Sequence, residues 1–276
     1  MNQERGVILI STFIVMATLT AIAASFLAMQ SVQMKSAGSD VVSHQALWLA
    51  EAGMQKAIWN LKTPTGSGGQ GENWTTTGTT ENLGAGSYTM VLTRYDFALN
   101  TNGGTASASS QSAQGQRASK AIDGDDESRW QSANVPSSTS PEEIIVSFPY
   151  PLTLNKVRFL AHTSNQRPVD YTWEISTDGS TYTVAVSVTG NADIDRTDAF
   201  SAQSNVNHLK LKVTAIGGGN KGVAISILEA IGSKITSTGT VALLNRKIEQ
   251  TVAADDGSPQ NQVAYNETDW NEIVPA

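Results

Sequence analysis

The chain has 276 residues, 39% of them hydrophobic and only 16% charged, with 23 glycines, no cysteine and a formal net charge of −7. Without cysteine there are no disulfides, thiolate nucleophiles or thiolate metal sites, and the acidic balance argues against a nucleic-acid partner, which needs a basic stripe against phosphates. Abundant Gly, Ser and Thr at this length suit β-rich extracellular modules, as one large domain or two modest ones.

Residues 1–6, "MNQERG", form a short polar leader. The next stretch, "VILISTFIVMATLTAIAASFLAM" at 7–29, is apolar and uncharged. At 1.5 Å rise per residue it spans roughly 35 Å, enough to cross a bilayer core. "AIAAS" at 21–25 also fits a signal-peptide cleavage site, but the helical pattern runs on past it. Val42, Ala46, Leu49, Ala50, Gly53, Ala57 and Leu61 fall on one face at helical period. The tract 7–62 is therefore predicted as one long helix, membrane-embedded first and amphipathic second. Asp40 is a candidate N-cap for the second half, and "AGSD" a weak point between the halves.

The segments "RGVILIS" and "LWLAEAGMQKA" resemble the PilX-like minor-pilin family over about the first sixty residues. The resemblance implies cleavage by prepilin peptidase between Gly6 and Val7, and single-pass residence in the bacterial inner membrane before assembly. The C-terminal part would then be periplasmic or extracellular, with other pilins and the pilus assembly machinery as partners. Major pilins carry a glutamate where this chain has Ser11, which favours a minor subunit of a type IV pilus or related secretion system over a bulk one. An ordinary single-span anchor is the alternative.

Residues 63–86 read as a loop by composition. "SYTMVLTRYD" alternates as a strand with Tyr88, Met90 and Leu92 on one face, and "KITSTGTVALLNRKIEQTV" gives two more strands. These pieces, at 63–104 and 233–256, read as a small antiparallel head sheet on the helix, split by an insertion at 105–232. Residues 257–276 are a tail, read as a terminal strand or a partner-binding segment.

The insertion has sandwich marks. Ile144, Val146 and Phe148 alternate, as do Tyr171, Trp173 and Ile175, and Tyr182, Val184, Val186 and Val188. Leu209, Leu211 and Val213 alternate with Lys210 and Lys212, which are predicted to face outward. "GGGNKG" at 217–222 reads as a hairpin loop rather than a phosphate cradle. The series "KAIDGDDESRW…EEIIVSFPYPLTLNKVRF…DYTWEISTDGSTYT…HLKLKVTA…ISILEAIG" is similar to discoidin domains, the C-type domains of coagulation factors V and VIII. The resemblance implies an eight-stranded jelly roll, and so an α+β chain: a long helix on a small antiparallel sheet with an inserted all-β sandwich.

The acidic loop "AIDGDDESRW" reads from its residues as a solvated turn. The discoidin resemblance implies instead a structural calcium ion held by Asp123, Asp125 and Ser128, the carbonyl of Ala121 and Glu229 of the last strand. Calcium takes six to eight hard oxygens, which such a loop can converge. Asp126 and Glu127 are expected to face solvent, and Trp130 to sit in the core. Sugar-binding discoidin modules use a His, an Arg and an amide on their end loops, which points to His162, Asn165 and Arg167 as ligands for a glycan or surface polymer. No stacking aromatic is identifiable. No HExxH, GxSxG or P-loop motif occurs, so the chain is not expected to be an enzyme. The expected function is adhesion through the displayed module; the alternative is a structural pilin whose insert contacts another protein and primes or caps the fibre.

Overall fold

A computed structural model describes residues 2–71, 73–253 and 264–266, with side chains placed for 12–71 and 73–252. It opens with one helix, α1 (Asn2–Lys62). Strands follow as β1 (Thr76–Leu83), β2 (Gly86–Asp96), β3 (Thr105–Ala108), β4 (Trp130–Gln131), β5 (Glu142–Ala161), β6 (Pro168–Ser176), β7 (Thr183–Val188), β8 (Asp195–Ile216), β9 (Ala224–Val241), β10 (Leu244–Ala253) and β11 (Ala264–Asn266).

At about 1.5 Å per residue, α1 is roughly 90 Å long. Its first part, from Phe13 to Met34, exposes its large apolar side chains, and the helix is long and apolar enough to cross a membrane. The expected weak point at "AGSD" does not form. The helix runs through it and Asp40 is an interior residue, not a cap. A single Gly38 costs a helix only about 1 kcal/mol, too little to break hydrogen bonding that good helix formers sustain on both sides. Gly6 and Val7 lie in the early turns of the helical backbone; their side chains are outside the described set.

The second half of α1 packs Ala46, Leu49, Ala50, Met54, Ala57 and Leu61 against Tyr88, Met90 and Leu92 of β2, Ile235 of β9 and Ile248 of β10. Helical period on one side and strand period on the other deliver matching apolar faces. Gly53 and Gly239 let them approach. A methyl on Gly239 would collide with the Ala46 carbonyl and the Ala50 amide, and one on Gly53 with the Ser237 hydroxyl.

All strands join one antiparallel system in the order β1-β2-β9-β5-β8-β6-β7, with β10 beside β9, β11 beside β10, β3 on β5 and β4 on β9. In the sandwich, β5 and β8 pair from Glu142↔Val213 to Ser147↔His208 and again from Lys156↔Ala199 to Leu160↔Asp195, with register shifts between. Such bulges bend strands and carry these two around the jelly roll. Its core holds Trp130, Ile144, Val146, Phe159, Tyr171, Trp173, Leu209 and Leu211. The Tyr171 hydroxyl and the Trp173 indole both donate to Asp198 Oδ2, at 2.7 and 2.9 Å, and Arg196 Nε donates to Oδ1 at 2.8 Å. A buried carboxylate is tolerable only when bonded this completely.

Three expectations change. The 63–86 segment is not all loop: Thr76–Leu83 is β1, paired with β2 and tied across by Thr80 and Thr89 hydroxyls 2.8 Å apart. A threonine run has β-branched stiffness that its loop-like composition conceals. Lys210 does not face outward into water; it is buried, its ammonium 2.9 Å from Glu174 and 3.9 Å from the Tyr182 ring centre. Of the β7 row, Val184 is exposed, as a sheet-edge strand allows. The tail at 257–276 lies outside the described residues apart from Ala264–Asn266, which pair with β10.

The sandwich and the helix-bearing sheet share a strand. β9 pairs Ile225 with Trp130 and Ala230 with Val157, then continues without a break to pair Gly232 with Tyr95 and Ser233 with Val252. The position expected to end the insertion, residue 232, is thus the middle of a strand. At the seam, Asp96 Oδ1 accepts hydrogen bonds from Ala98 N at 2.8 Å and Ala230 N at 3.0 Å. Burial, partly opposed by those two bonds and by Arg94, pushes its pKa up to about 7.

Candidate functional site

The loops at one end of the sandwich come together through backbone bonds. Ala161 N donates to Ile194 O, His162 N to Ala224 O, Asn191 N to Val169 O and Ser132 N to Val223 O. This gathers the β4–β5, β5–β6, β7–β8 and β8–β9 connections; "GGGNKG" lies in the β8–β9 connection but closes no hairpin, because β5 runs between those two strands.

His162, Asn165 and Arg167 all lie in this end, with different surroundings. His162 stands between Arg129 Nη1, 3.0 Å from its Nε2, and Ser226 Oγ, 3.1 Å from its Nδ1. Burial and the Arg129 charge lower its pKa, so the ring is held neutral at physiological pH. Asn165 is exposed, near Gly219 of the β8–β9 connection. Arg167 is already bonded: it donates to Asn191 O at 3.2 Å and to Ser164 O, and its carbonyl accepts from Gly217 N. Its guanidinium therefore joins two loops, and its carbonyl ties in a third. Gln166 is buried, its amide donating to Gly222 O at 2.9 Å.

The side chains able to offer polar atoms to a ligand here are thus Arg129, braced by His162, and Asn165, on a base fixed by Gln166 and Arg167. Arg129 was missed in the sequence because it lies in the acidic loop, more than thirty positions from His162. Its only local sign was a cation directly before a core tryptophan. A guanidinium held against a neutral imidazole, with an exposed amide nearby, supplies donors and the amide oxygen as acceptor to hydroxyl groups.

The acidic loop closes on itself. Asp123 Oδ2 accepts from Lys120 Nζ at 3.0 Å, its carboxylate from Ser128 Oγ at 2.8 and 3.0 Å, and its Oδ1 from Asp125 N at 3.1 Å. Burial pushes the Asp123 pKa upward, but these hydrogen bonds outweigh it and hold the carboxyl below its ordinary range. Asp126 and Glu127 are exposed and Trp130 is fully buried.

Ala121, Asp123, Asp125 and Ser128 share the loop; Glu229 does not join them. Leu228 and Ala230 pack in the core with Ala121 and Ile122, so strand alternation turns Glu229 to the other face of β9. There it pairs with Arg94 at 2.5 Å and Arg158 at 2.9 Å, and Arg158 reaches on to Asp195 at 2.6 Å. Among the described residues no three acidic or histidine side chains converge as a metal site would require. The Lys120 ammonium already sits on Asp123, where a cation would need that carboxylate. The five residues do not fit one calcium ion.

Comparison with known proteins bears on the sandwich. The sequence profile of the F5/8 type C domain family matches residues 105–228. Among solved structures, a variant of chitosan-binding module 1 from a Paenibacillus sp. IK-5 chitosanase/glucanase is 26% identical, covering 51% of this chain and 100% of that one, with a TM-score of 0.45. A Clostridium perfringens module described in complex with GalNAc-β-1,3-galactose is 19% identical over 48% of this chain and 97% of that one, at 0.42. The family 32 module of C. perfringens NanJ, described in complex with galactose, is 18% identical over 50% and 99%, also at 0.42. No curated protein matches the chain.

Proposed function

We propose that the chain displays its F5/8 type C domain, carried between β2 and the second half of β9, as a membrane-anchored carbohydrate-binding module. The domain itself is matched over residues 105–228. The observation that carries the reading is the end of the sandwich, where Arg129, braced by His162, and Asn165 are presented on loops fixed by Arg167 and Gln166. Polar groups pre-placed on a rigid base suit hydroxyl recognition, because little side-chain entropy is lost on binding.

The anchoring half of the proposal is a minor pilin or pseudopilin. It is supported by the leader and "RGVILIS" pattern and by the layout of α1, apolar and exposed first, then packed on an antiparallel sheet. In this role the chain resides in the inner membrane, joins other pilins and acts without catalysis.

Because β9 runs through the seam, excising 105–232 would cut a strand, so the detergent-solubilised full chain is the protein to screen. On a glycan array it is expected to bind a defined set of saccharides, and Asn165→Ala to weaken that set selectively. A blank array, or binding unchanged by Asn165→Ala and Arg129→Ala together, would refute recognition at this end.

A further inference from the structure

Where the two units meet lies a cleft of about 280 Å³. Its walls come from four places: the segment entering β1 (Asn73, Trp74), Arg94 of β2, Lys156 and Thr197 of β5 and β8, and Ser233 in the middle of β9. Neither unit alone would form it.

The lining has a defined chemistry. Trp74 is partly buried, packed against the helix-sheet core, and is one of the residues lining the cleft. The charged side chains lining the cleft, among the described residues, are Arg94 and Lys156. Lys156 Nζ lies 3.4 Å from Asn73 Oδ1, which sets ammonium and amide side by side on one wall. Arg94 is held by Glu229, itself fixed by Arg158. Thr197 and Ser233 add hydroxyls. The cleft thus combines an indole-bearing residue with donors on several walls, two of them charged, which suits a ligand with a weakly polar face and an acceptor-rich edge. A pyranose ring has that form. The volume is at the small end of ligand clefts, which start at roughly 300 Å³, so it accommodates one ring, not a chain.

We propose that this junction cleft is a second saccharide site, separate from the loop end, taking a single pyranose with one face toward Trp74 and its oxygens toward Asn73, Arg94, Lys156 and Thr197. A ligand here touches both units. It would therefore couple saccharide binding to the helix-bearing sheet, which the loop-end site does not touch.

The test is saturation-transfer NMR on the detergent-solubilised full chain with two probes, galactose and galacturonate, the second adding a carboxylate for Arg94 and Lys156. Saturation transfer to either probe is expected, and Thr197→Phe, an exposed position that would fill the cleft, should weaken it about tenfold or more. Trp74→Ala should do the same; because Trp74 also packs in the core, Thr197→Phe is the variant that separates binding from folding. The variants are compared in an Asn165→Ala, Arg129→Ala background, which removes loop-end binding, so that the remaining transfer belongs to the junction cleft and should persist there. No transfer to either probe at millimolar concentration, or transfer unmoved by Thr197→Phe, would overturn the proposal.

Discussion

Replacing Asp96 by Asn takes a charge out of the seam while keeping the oxygen that Ala98 N and Ala230 N donate to. In the unfolded chain this carboxyl releases its proton near 3.8; in the folded chain burial raises that to about 7, with Glu229 pushing the same way and Arg94 opposing. Between those two pH values the folded state holds a proton that the unfolded state has lost, so Asp96 makes stability fall as pH rises through the window. At 1.36 kcal/mol per unit, a displacement of about three units sets a ceiling of about 4 kcal/mol on its cost at pH 8. The assay is urea unfolding of the wild-type chain and Asp96→Asn at pH 5 and pH 8. The variant should exceed the wild type by about 1.6 kcal/mol at pH 5, which already lies within the window, and by up to about 4 kcal/mol at pH 8. Equal differences at both pH values, or a variant weaker at pH 8, would refute the account of the seam.

Three further outcomes follow from the same geometry. Gly239→Ala should destabilise the chain by about 1–3 kcal/mol in thermal unfolding, since the added methyl meets α1 backbone at Ala46 and Ala50; a neutral result would mean that the helix can shift off β9. The His162 ring should titrate below 6.5 by NMR, and Arg129→Gln should raise its pKa, because burial and the adjacent guanidinium both disfavour the imidazolium. Asp123→Ala should cost about 1–3 kcal/mol by removing the acceptor for Lys120, Ser128 and Asp125 N. As the Asp123 carboxyl is held below its ordinary range, its contribution should be present at neutral pH and fade as acid protonates it, while a calcium chelator should leave the melting temperature unchanged.

Much of the fold is legible in the sequence wherever burial follows a short period. Tyr88, Met90 and Leu92 alternate into one core and Ile144, Val146 and Leu209, Leu211 into the other, because a strand's two faces meet different surroundings. Strand β1 is not legible in this way, since both its faces are largely exposed and its threonines satisfy each other across to β2. Lys210 misleads because alternation assigns it a side, and only the partner strands and Tyr182 decide that this side is covered. The site is less legible than the fold. His162 and Asn165 could be named from one loop, but the Arg129 contact, the clamping role of Arg167 and the capture of Glu229 by Arg94 depend on pairings far apart in the chain.

The account rests most directly on saccharide recognition at the loop end. Isothermal titration of the strongest array ligand into the full chain, its Asn165→Ala variant and its Thr197→Phe variant addresses that claim in one experiment. The account predicts that Asn165→Ala weakens binding about tenfold, roughly 1.4 kcal/mol, while Thr197→Phe leaves that ligand's affinity at the loop end unchanged. Binding that survives Asn165→Ala and disappears in Thr197→Phe would contradict it and move recognition to the junction cleft.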